Sequence, residues 1–307
     1  MGYRSFSSEI RRRFGEKLYK LSLDGGMSCP NRDGTLGFGG CIFCSGGSGE
    51  FAAGQGTNIA EQIEKARARV AFKTGGRGRY IAYFQSYTNT HAPVSRLREL
   101  FTPIIAREDI AVLDIATRPD CLGEDVLDLL AELNSIKPVW VELGLQTIHQ
   151  ATADYIRRGY DLTVYDRAIR ELKTRGIEVI VHMILGLPGE KDEMIYDNAD
   201  YIAASGADGI KLQLLHVLRG TDLAAEYEQG RFETLSLEHY TLLLEGCIRR
   251  LRPEMTVHRI TGDGAKRELI APMWSADKKR VLSSINSAFE RDGLVQGSLY
   301  PGGGKNG

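Results

Sequence analysis

Residues 19–44 read YKLSLDGGMSCPNRDGTLGFGGCIFC, a short apolar run followed by a glycine-rich loop with three cysteines. The run KLSLDGG (20–26) has the apolar alternation of a β-strand and ends at paired glycines. The loop then places Cys29, Cys41 and Cys44 in a C-x11-C-x2-C pattern. Because loops at the carboxyl ends of parallel strands form the active sites of α/β folds, this stretch predicts both the fold class and the position of the chemistry.

Further along the chain, apolar and β-branched runs alternate with amphipathic segments. The runs predict strands over residues 80–86, 111–117, 139–146, 178–186 and 208–215. Alternation about every 30 residues predicts βα units around a parallel sheet that is closed, or nearly closed, into a barrel. We expect this barrel over residues 20–252, between a basic N-terminal extension (1–19) and a C-terminal extension (253–296), with a disordered glycine-rich tail (297–307).

Composition excludes several classes of protein. The 307 residues are 42% hydrophobic, with 39 Lys and Arg against 40 Asp and Glu, which argues against a disordered chain and against uniform coating of a polyanion. No apolar run approaches the roughly 18 residues that a membrane span requires. The charged start MGYRSFSSEIRRRFGEK has no signal-peptide core, and five cysteines are too few for a disulfide scaffold. We therefore predict a cytoplasmic protein without membrane contact.

The clustered cysteines leave three interpretations open. A structural zinc site needs a fourth ligand, and the next histidine is His91. A redox C-x2-C pair leaves Cys29 unexplained. Three thiolates on an iron-sulfur cluster leave one iron open to a small molecule, and this interpretation is the one we favour over zinc and over inert thiols. Isolated Cys121 and Cys247 are expected in the core.

The cysteine stretch resembles the radical S-adenosylmethionine (SAM) superfamily, in particular its Elp3-like branch and a group within it without an accessory domain that includes MnmL-type enzymes of tRNA wobble-uridine modification. The resemblance implies a partial (β/α)6 TIM-like barrel. It also implies a 4Fe-4S cluster on Cys29, Cys41 and Cys44, with SAM on the fourth iron as the source of a 5'-deoxyadenosyl radical.

The same resemblance implies a set of SAM contacts. VELGLQT (141–147) is similar to a VELGxQS segment of the Elp3-like branch, IRRGYD (156–161) to its RGH segment, and HMILGLPGE (182–190) to a stretch that lines adenine. A Glu inside an apolar strand also needs a buried partner on physical grounds. The cofactor-binding candidates are Phe43, Gln85, Ser86, Glu142, Gln146, Arg158, Gly186, Leu187 and His216.

Two polar residues share one face of the sixth predicted strand. Alternation places Lys211 and Gln213 on the same side, which indicates a lined cavity and makes them candidates for substrate contact, with a structural ion pair as the alternative.

Charge distribution bears on the partner. The segment from Lys65 to Arg98 has eight basic residues and no Asp or Glu, so an RNA-binding face is one interpretation and solvated helix faces are the other. The resemblance implies a tRNA substrate, conversion of 5-carboxymethylaminomethyluridine to 5-aminomethyluridine, and an unidentified one-electron reductant. The alternatives are a radical SAM enzyme acting on a small metabolite or porphyrin, and an iron-sulfur or zinc protein that binds RNA without catalysis.

Overall fold

Seven parallel strands form the main sheet of the computed structural model, which describes residues 2–46, 58–75, 78–262 and 266–301. Their order across the sheet follows the chain, apart from one strand that is skipped. The strands are β1 (Tyr19–Leu23), β2 (Tyr80–Phe84), β3 (Ile110–Thr117), β4 (Val139–Gln146), β5 (Glu178–Leu185), β6 (Gly209–Leu214) and β8 (Thr256–Arg259). The skipped strand β7 (Val217–Leu218) pairs antiparallel with β9 (Leu269–Ala271).

Helices connect the strands in the order expected for βα units. They are α1 (Phe6–Phe14), α2 (Ile59–Thr74), α3 (Val94–Ile105), α4 (Glu124–Ile136), α5 (Gln150–Tyr155), α6 (Leu162–Thr174), α7 (Asp192–Ala204), α8 (Asp222–Glu228), α9 (Leu237–Arg250) and α10 (Lys278–Arg291). Side chains such as Asn58 and Ser236 accept a hydrogen bond from the first turn and fix where α2 and α9 begin. Among the described residues, no helix is both long and apolar enough to cross a lipid bilayer.

The two faces of the sheet differ in chemistry because strand residues alternate in direction. One face carries buried aliphatic residues such as Val141, Val181 and Leu212, which pack in the main core together with apolar residues of the surrounding helices. The other face carries polar side chains. On that face Lys20 of β1 contacts Glu142 of β4 with 2.9 Å between Nζ and Oε1. Three strand spacings of a flat sheet would separate them by about 14 Å, so the sheet is curled into a half-barrel.

Helix α1 closes the amino end of the half-barrel. Phe6 packs edge to face on Trp140 with 6.1 Å between ring centroids, and Ile10 joins the same apolar cluster as Trp140 and Ile180. This apolar plug leaves the carboxyl ends of the strands as the edge where polar loops gather.

The C-terminal segment departs from the expected boundaries. We expected six barrel strands, but β8 adds a seventh by pairing with β6. Within the predicted disordered tail, Gly297 and Leu299 donate backbone hydrogen bonds to Ile248 and Arg249 at the end of α9, so order extends to this turn. Residues 302–307 of that predicted tail lie outside the described residues.

Residues near the two ends of the described chain are bonded to each other. The Arg4 backbone N–H donates to Gln296 Oε1 at 2.8 Å, and the Gln296 backbone N–H donates to the Gly2 carbonyl at 2.8 Å. The Arg4 carbonyl accepts from the Val257 backbone N–H at 2.9 Å. The backbone of Gly2 and Arg4 is therefore hydrogen-bonded to residues from the last part of the fold.

Candidate functional site

The cysteine loop, residues 24–46, leaves the carboxyl end of β1. Its three thiols are all partly exposed. Tight turns place them, because the Cys29 carbonyl accepts backbone hydrogen bonds from Arg32 at 2.7 Å and Asp33 at 3.1 Å, and the Cys41 carbonyl accepts one from Cys44 at 3.0 Å. Burial, reinforced by the neighbouring Cys44, raises the pKa of the Cys41 thiol to about 11. The site therefore needs a positively charged ligand to hold this sulfur as a thiolate.

Asp33 organises the loop from within. Its carboxylate accepts hydrogen bonds from Ser28 Oγ at 2.5 Å, from the Thr35 backbone N–H at 3.0 Å and from Thr35 Oγ1 at 2.7 Å. His91 Nε2, on the loop after β2, lies 2.8 Å away. These hydrogen bonds hold the pKa of Asp33 well below its usual range. A single carboxylate thus links the residue before Cys29 to the neighbouring strand.

The donor set of the cysteine loop bears on the two metal hypotheses. Within the described ranges, no three Cys, His, Asp or Glu side chains form a group that would hold one metal ion. A zinc site needs its ligands to converge on one ion, whereas each thiolate of an iron-sulfur cluster binds a different iron. The loop supplies three cysteines, and Cys44 and Cys29 lie close enough to Cys41 to raise its pKa, which is a donor set that fits a cluster with one open iron.

Backbone strain collects around this loop. Among the described non-glycine residues, only Tyr87, Gln146 and Arg157 have positive φ, at 58°, 68° and 57°. Tyr87 follows β2, Gln146 is the last residue of β4, and Arg157 follows α5; Gln146 also lies at a register shift between β4 and β5. Residues in this conformation cost energy, and they cluster where a ligand must be bound.

Two of the predicted SAM contacts carry buried atoms that await a partner. Ser86 is fully buried, and its Oγ has no hydrogen-bond partner among the described residues. The same is true of Gln146 Oε1. Gln85 is half-buried beside Ser86. Buried polar atoms are nearly always paired in folded proteins, so these atoms fit a polar ligand such as the amino acid moiety of SAM.

We call the carboxyl end of the half-barrel, where the polar loops gather, the mouth. On the side of β5 and α8, apolar groups line this mouth. Leu187 is buried in a cluster that includes Ile42 of the cysteine loop and Leu223 of α8, with Phe43 packed against it. Gly186 has φ 88°, and a Cβ there would lie 2.9 Å from Leu235 Cδ1. His216 contacts Gly262, where a Cβ would meet its Cε1 at 2.4 Å. Leu187 and Phe43 thus share one apolar cluster, here called the apolar wall, with Ile42 of the cysteine loop.

Below the mouth lies an ion network that fills the half-barrel. The fully buried carboxylate of Glu142 accepts hydrogen bonds from four groups: Lys20 Nζ at 2.9 Å, Tyr83 Oη at 2.8 Å, His182 Nε2 at 2.8 Å, and Lys211 Nζ. Lys20 also donates to Asp114 at 2.5 Å. We call Lys20, Tyr83, Asp114, Glu142, His182 and Lys211 the interior ion network.

Burial and mutual charge set the protonation of this network. Burial alone would raise the pKa of Glu142, but the Lys20 and Lys211 ammonium groups hold it well below its usual range. Burial, reinforced by Glu142, raises the pKa of Asp114 to about 7, and burial lowers the pKa of Lys211 to about 7. Glu142 is therefore the charged centre of the network.

Several predicted site residues have structural partners instead of facing the mouth. Glu142, expected to contact SAM, lies within the interior ion network, and so does Lys211, which adopts the ion pair that was its alternative role. Half-buried Gln213 follows Lys211 on the same strand face. Arg158 is buried, and its guanidinium donates to the backbone carbonyls of Leu145, Thr147 and Tyr160. These donor bonds explain how the loop after β4 is held.

Sequence reasoning missed Lys20, Asp114 and Tyr83, and it noted His182 without a role. The signal was present, because polar residues at alternate positions of apolar strands must share the inner face. What the sequence lacked was the curl that brings β1 within reach of β4.

Many cations of the basic segments pair with acidic side chains in the part of the chain that the structure describes. Arg67 pairs with Glu64 at 3.1 Å, and Arg79 pairs with Glu16 at 2.8 Å. Other described cations are paired in the same way, including Arg98 with Glu132, Arg13 with Glu178 and Arg250 with Asp200. Arg77 lies outside the described residues. The solvated and paired helix face is thus the better account of these described residues.

Comparison with known proteins agrees with this geometry. A model of the Radical SAM superfamily matches residues 33–202, and a model of the Radical_SAM C-terminal domain matches residues 207–291. The YtqA protein of Bacillus subtilis is 46% identical over 299 residues, covering 97% of this chain and 92% of YtqA.

Two archaeal proteins share part of the sequence or the fold. A tRNA uridine(34) acetyltransferase of Methanocaldococcus jannaschii is 30% identical over 135 residues, 42% of this chain and 24% of the relative. The structure of Methanocaldococcus infernus Elp3 with an N-terminal deletion superposes with a TM-score of 0.68 at 18% identity, over 91% of this chain and 64% of that one. The chain thus belongs to the radical SAM superfamily, whose enzymes use a 4Fe-4S cluster and S-adenosylmethionine.

Proposed function

We propose that this enzyme modifies the wobble uridine of tRNA, converting 5-carboxymethylaminomethyluridine to 5-aminomethyluridine. The observation that carries the proposal is a half-barrel whose thiol loop, strained polar residues and apolar wall surround one mouth above a charged interior. A cluster with SAM bound would supply a 5'-deoxyadenosyl radical, the reagent needed to take a hydrogen atom from the substrate. The carbon between the amine and the carboxylate is the natural target, because both groups stabilise the resulting radical. With SAM as the overall oxidant, loss of one further electron would give a carbon–nitrogen double bond, and addition of water would then break this bond, release the two-carbon group as glyoxylate and leave the aminomethyl group.

Each part of the mouth has a task in this proposal. Cys29, Cys41 and Cys44 would hold the cluster, and Asp33 would keep the loop in place through Ser28. Ser86 Oγ and Gln146 Oε1 would bind the polar end of SAM. Phe43 and the backbone at Gly186 would lie against the adenine, and the apolar wall would keep water from the reacting atoms.

Two observations support an RNA base as the substrate. The sequence similarity to a tRNA uridine(34) acetyltransferase covers 42% of this chain. The mouth opens from exposed loops, and the cysteine loop carries Phe38 with 81% of its surface exposed. Single-stranded anticodon loops can present an unstacked base, and exposed aromatic rings are the usual stacking partners of such bases. The electron donor in this proposal is a one-electron reductant whose identity is open.

Nucleoside mass spectrometry of tRNA tests the proposal. A strain without this gene should accumulate 5-carboxymethylaminomethyluridine and lose 5-aminomethyluridine, and the wild-type gene should restore the profile. A Cys41→Ser gene should not restore it, and a Cys247→Ser gene is the matched control because Cys247 is buried in the main core. An unchanged profile in the deletion strain refutes the tRNA reaction. Formation of 5'-deoxyadenosine that depends on a small metabolite would then favour the alternative substrate class.

A further inference from the structure

His182 has an unusual position on the inner face of β5. In the register of the sheet, Gly144 of β4 lies beside it on one side and Lys211 of β6 on the other. Glycine has no side chain to cover the imidazole, and 17% of the His182 side chain is exposed. The ring therefore borders both the interior ion network and the space above it.

The hydrogen bond to Glu142 fixes the tautomer of this ring. His182 Nε2 lies 2.8 Å from Glu142 Oε2, and Glu142 is charged, so Nε2 carries the hydrogen and donates it. In the neutral ring, Nδ1 then presents a lone pair. Nδ1 has no hydrogen-bond partner among the described residues. It is also absent from the set of fully buried unpaired atoms, so it is open to a ligand.

Burial, together with nearby cations, keeps the ring neutral. The charged and titratable groups on the strands around it are Lys20 of β1, Tyr83 of β2, Asp114 of β3, Glu142 of β4, Lys211 of β6, and His258 and Arg259 of β8. Burial, reinforced by Lys211, lowers the pKa of His182 to about 4. A fixed, neutral acceptor cannot bind an anion well, whereas it suits an N–H donor.

We propose that His182 is a substrate-recognition residue whose Nδ1 accepts a hydrogen bond from the amine N–H of the substrate side chain, with Glu142 as the positioning residue. The inference rests on the proposed function, because 5-carboxymethylaminomethyluridine carries this amine one carbon away from its carboxylate. The register places the cations Lys211 and Arg259 on the β6 side of the imidazole, where the carboxylate would lie. No proton is transferred, since the hydrogen stays on the substrate nitrogen.

His182→Gln separates recognition from structure. The glutamine amide N–H can replace imidazole Nε2 as the donor to Glu142, but glutamine has no atom in the place of Nδ1. His239→Gln is the matched control, because His239 pairs with Asp192 on the surface, away from the half-barrel interior. Thermal unfolding and iron content of both variants check that fold and cluster loading are comparable.

Binding to two anticodon stem-loops gives the decisive measurement. One stem-loop carries 5-carboxymethylaminomethyluridine and the other carries unmodified uridine. One hydrogen bond is worth about a tenfold change in affinity, so H182Q should weaken the modified complex about tenfold and leave the unmodified complex unchanged, while H239Q changes neither.

The outcomes distinguish this inference from the proposed function. If the wild-type enzyme binds both stem-loops equally, the proposed substrate is wrong and the inference falls with it. If the wild-type enzyme prefers the modified stem-loop but H182Q keeps the full preference, only the His182 inference is overturned. An equal loss of affinity for both stem-loops also overturns it, because Nδ1 would then contact a group that both share, such as the uracil ring. Nitrogen NMR of the wild-type imidazoles should show a neutral Nε2–H tautomer for His182 at pH 7, and an Nδ1–H tautomer would contradict it.

Discussion

Glu142→Gln should destabilise the protein strongly despite its nearly identical shape. The carboxylate is fully buried and accepts from four donors, two of them ammonium groups. Lys20 keeps Asp114 as a partner, so the loss falls mainly on Lys211, which is 3% exposed. Removing one partner of a buried ion pair costs about 3–5 kcal/mol, because the other charge stays without compensation. We expect a loss of about 3 kcal/mol in the free energy of unfolding.

A double variant makes the reasoning refutable. Glu142→Leu with Lys211→Met removes both charges of the pair, so it should be less destabilised than the sum of the two single variants by about 2 kcal/mol or more. Urea unfolding can be followed by the fluorescence of Trp140, which is buried in the apolar plug below the network. Two results would refute this reasoning: a free energy of unfolding for E142Q within about 0.5 kcal/mol of wild type, or strict additivity in the double variant. Either would show that Glu142 does not stabilise the charge of Lys211.

Four further predictions concern the loop, the interior and the mouth. Cys41→Ser should abolish bound iron after anaerobic reconstitution, as measured by iron-to-protein ratio, whereas Cys247→Ser should retain it because Cys247 is buried in the core. Asp33→Ala should speed the loss of iron to a chelator several-fold, since four hydrogen bonds that shape the cysteine loop disappear; an unchanged rate would contradict its organising role. The pKa of His182 is about 4 in the folded state, below its unfolded value, so the unfolded chain binds more protons between these two values. The free energy of unfolding should therefore fall by about 3 kcal/mol as the pH drops from about 6.5 to about 4. In H182Q, the urea concentration at the unfolding midpoint should change less with pH over that range. Arg158→Met should cost about 3 kcal/mol in urea unfolding, because it leaves three backbone carbonyls without their donor; a stable variant with weakened SAM binding would favour a direct contact instead.

The barrel strands were predictable because their apolar runs are dense. The fourth predicted strand coincides with β4, and the others differ by a few residues at their ends. β8 was missed because its sequence, Thr256–Arg259, is short and half polar, so nothing in its local pattern distinguishes it from a loop. Its place is set by pairing with β6, which is a tertiary effect.

The parts of the site whose residues are close together in the sequence were predictable. The parts whose residues are far apart in the sequence were not. The three cysteines stand close together in sequence, whereas Lys20 and Glu142 are 122 residues apart and meet only when the sheet curls. Tertiary pairing also bears on the basic segment. Arg79 pairs with Glu16 and Arg98 pairs with Glu132, and because these acids lie far away in the sequence, a charge count along the segment does not reveal them.

The hydrogen bonds between the two ends of the described chain have a consequence for biosynthesis. Gly2 and Arg4 are bonded through Gln296, and the Arg4 carbonyl also accepts a hydrogen bond from Val257 of β8. On a ribosome, the segment that leads into the α1 plug must wait until almost 300 residues have been made before its partners exist. Until then the amino end of the half-barrel lacks these ties, so we expect its closure to be among the last events of folding.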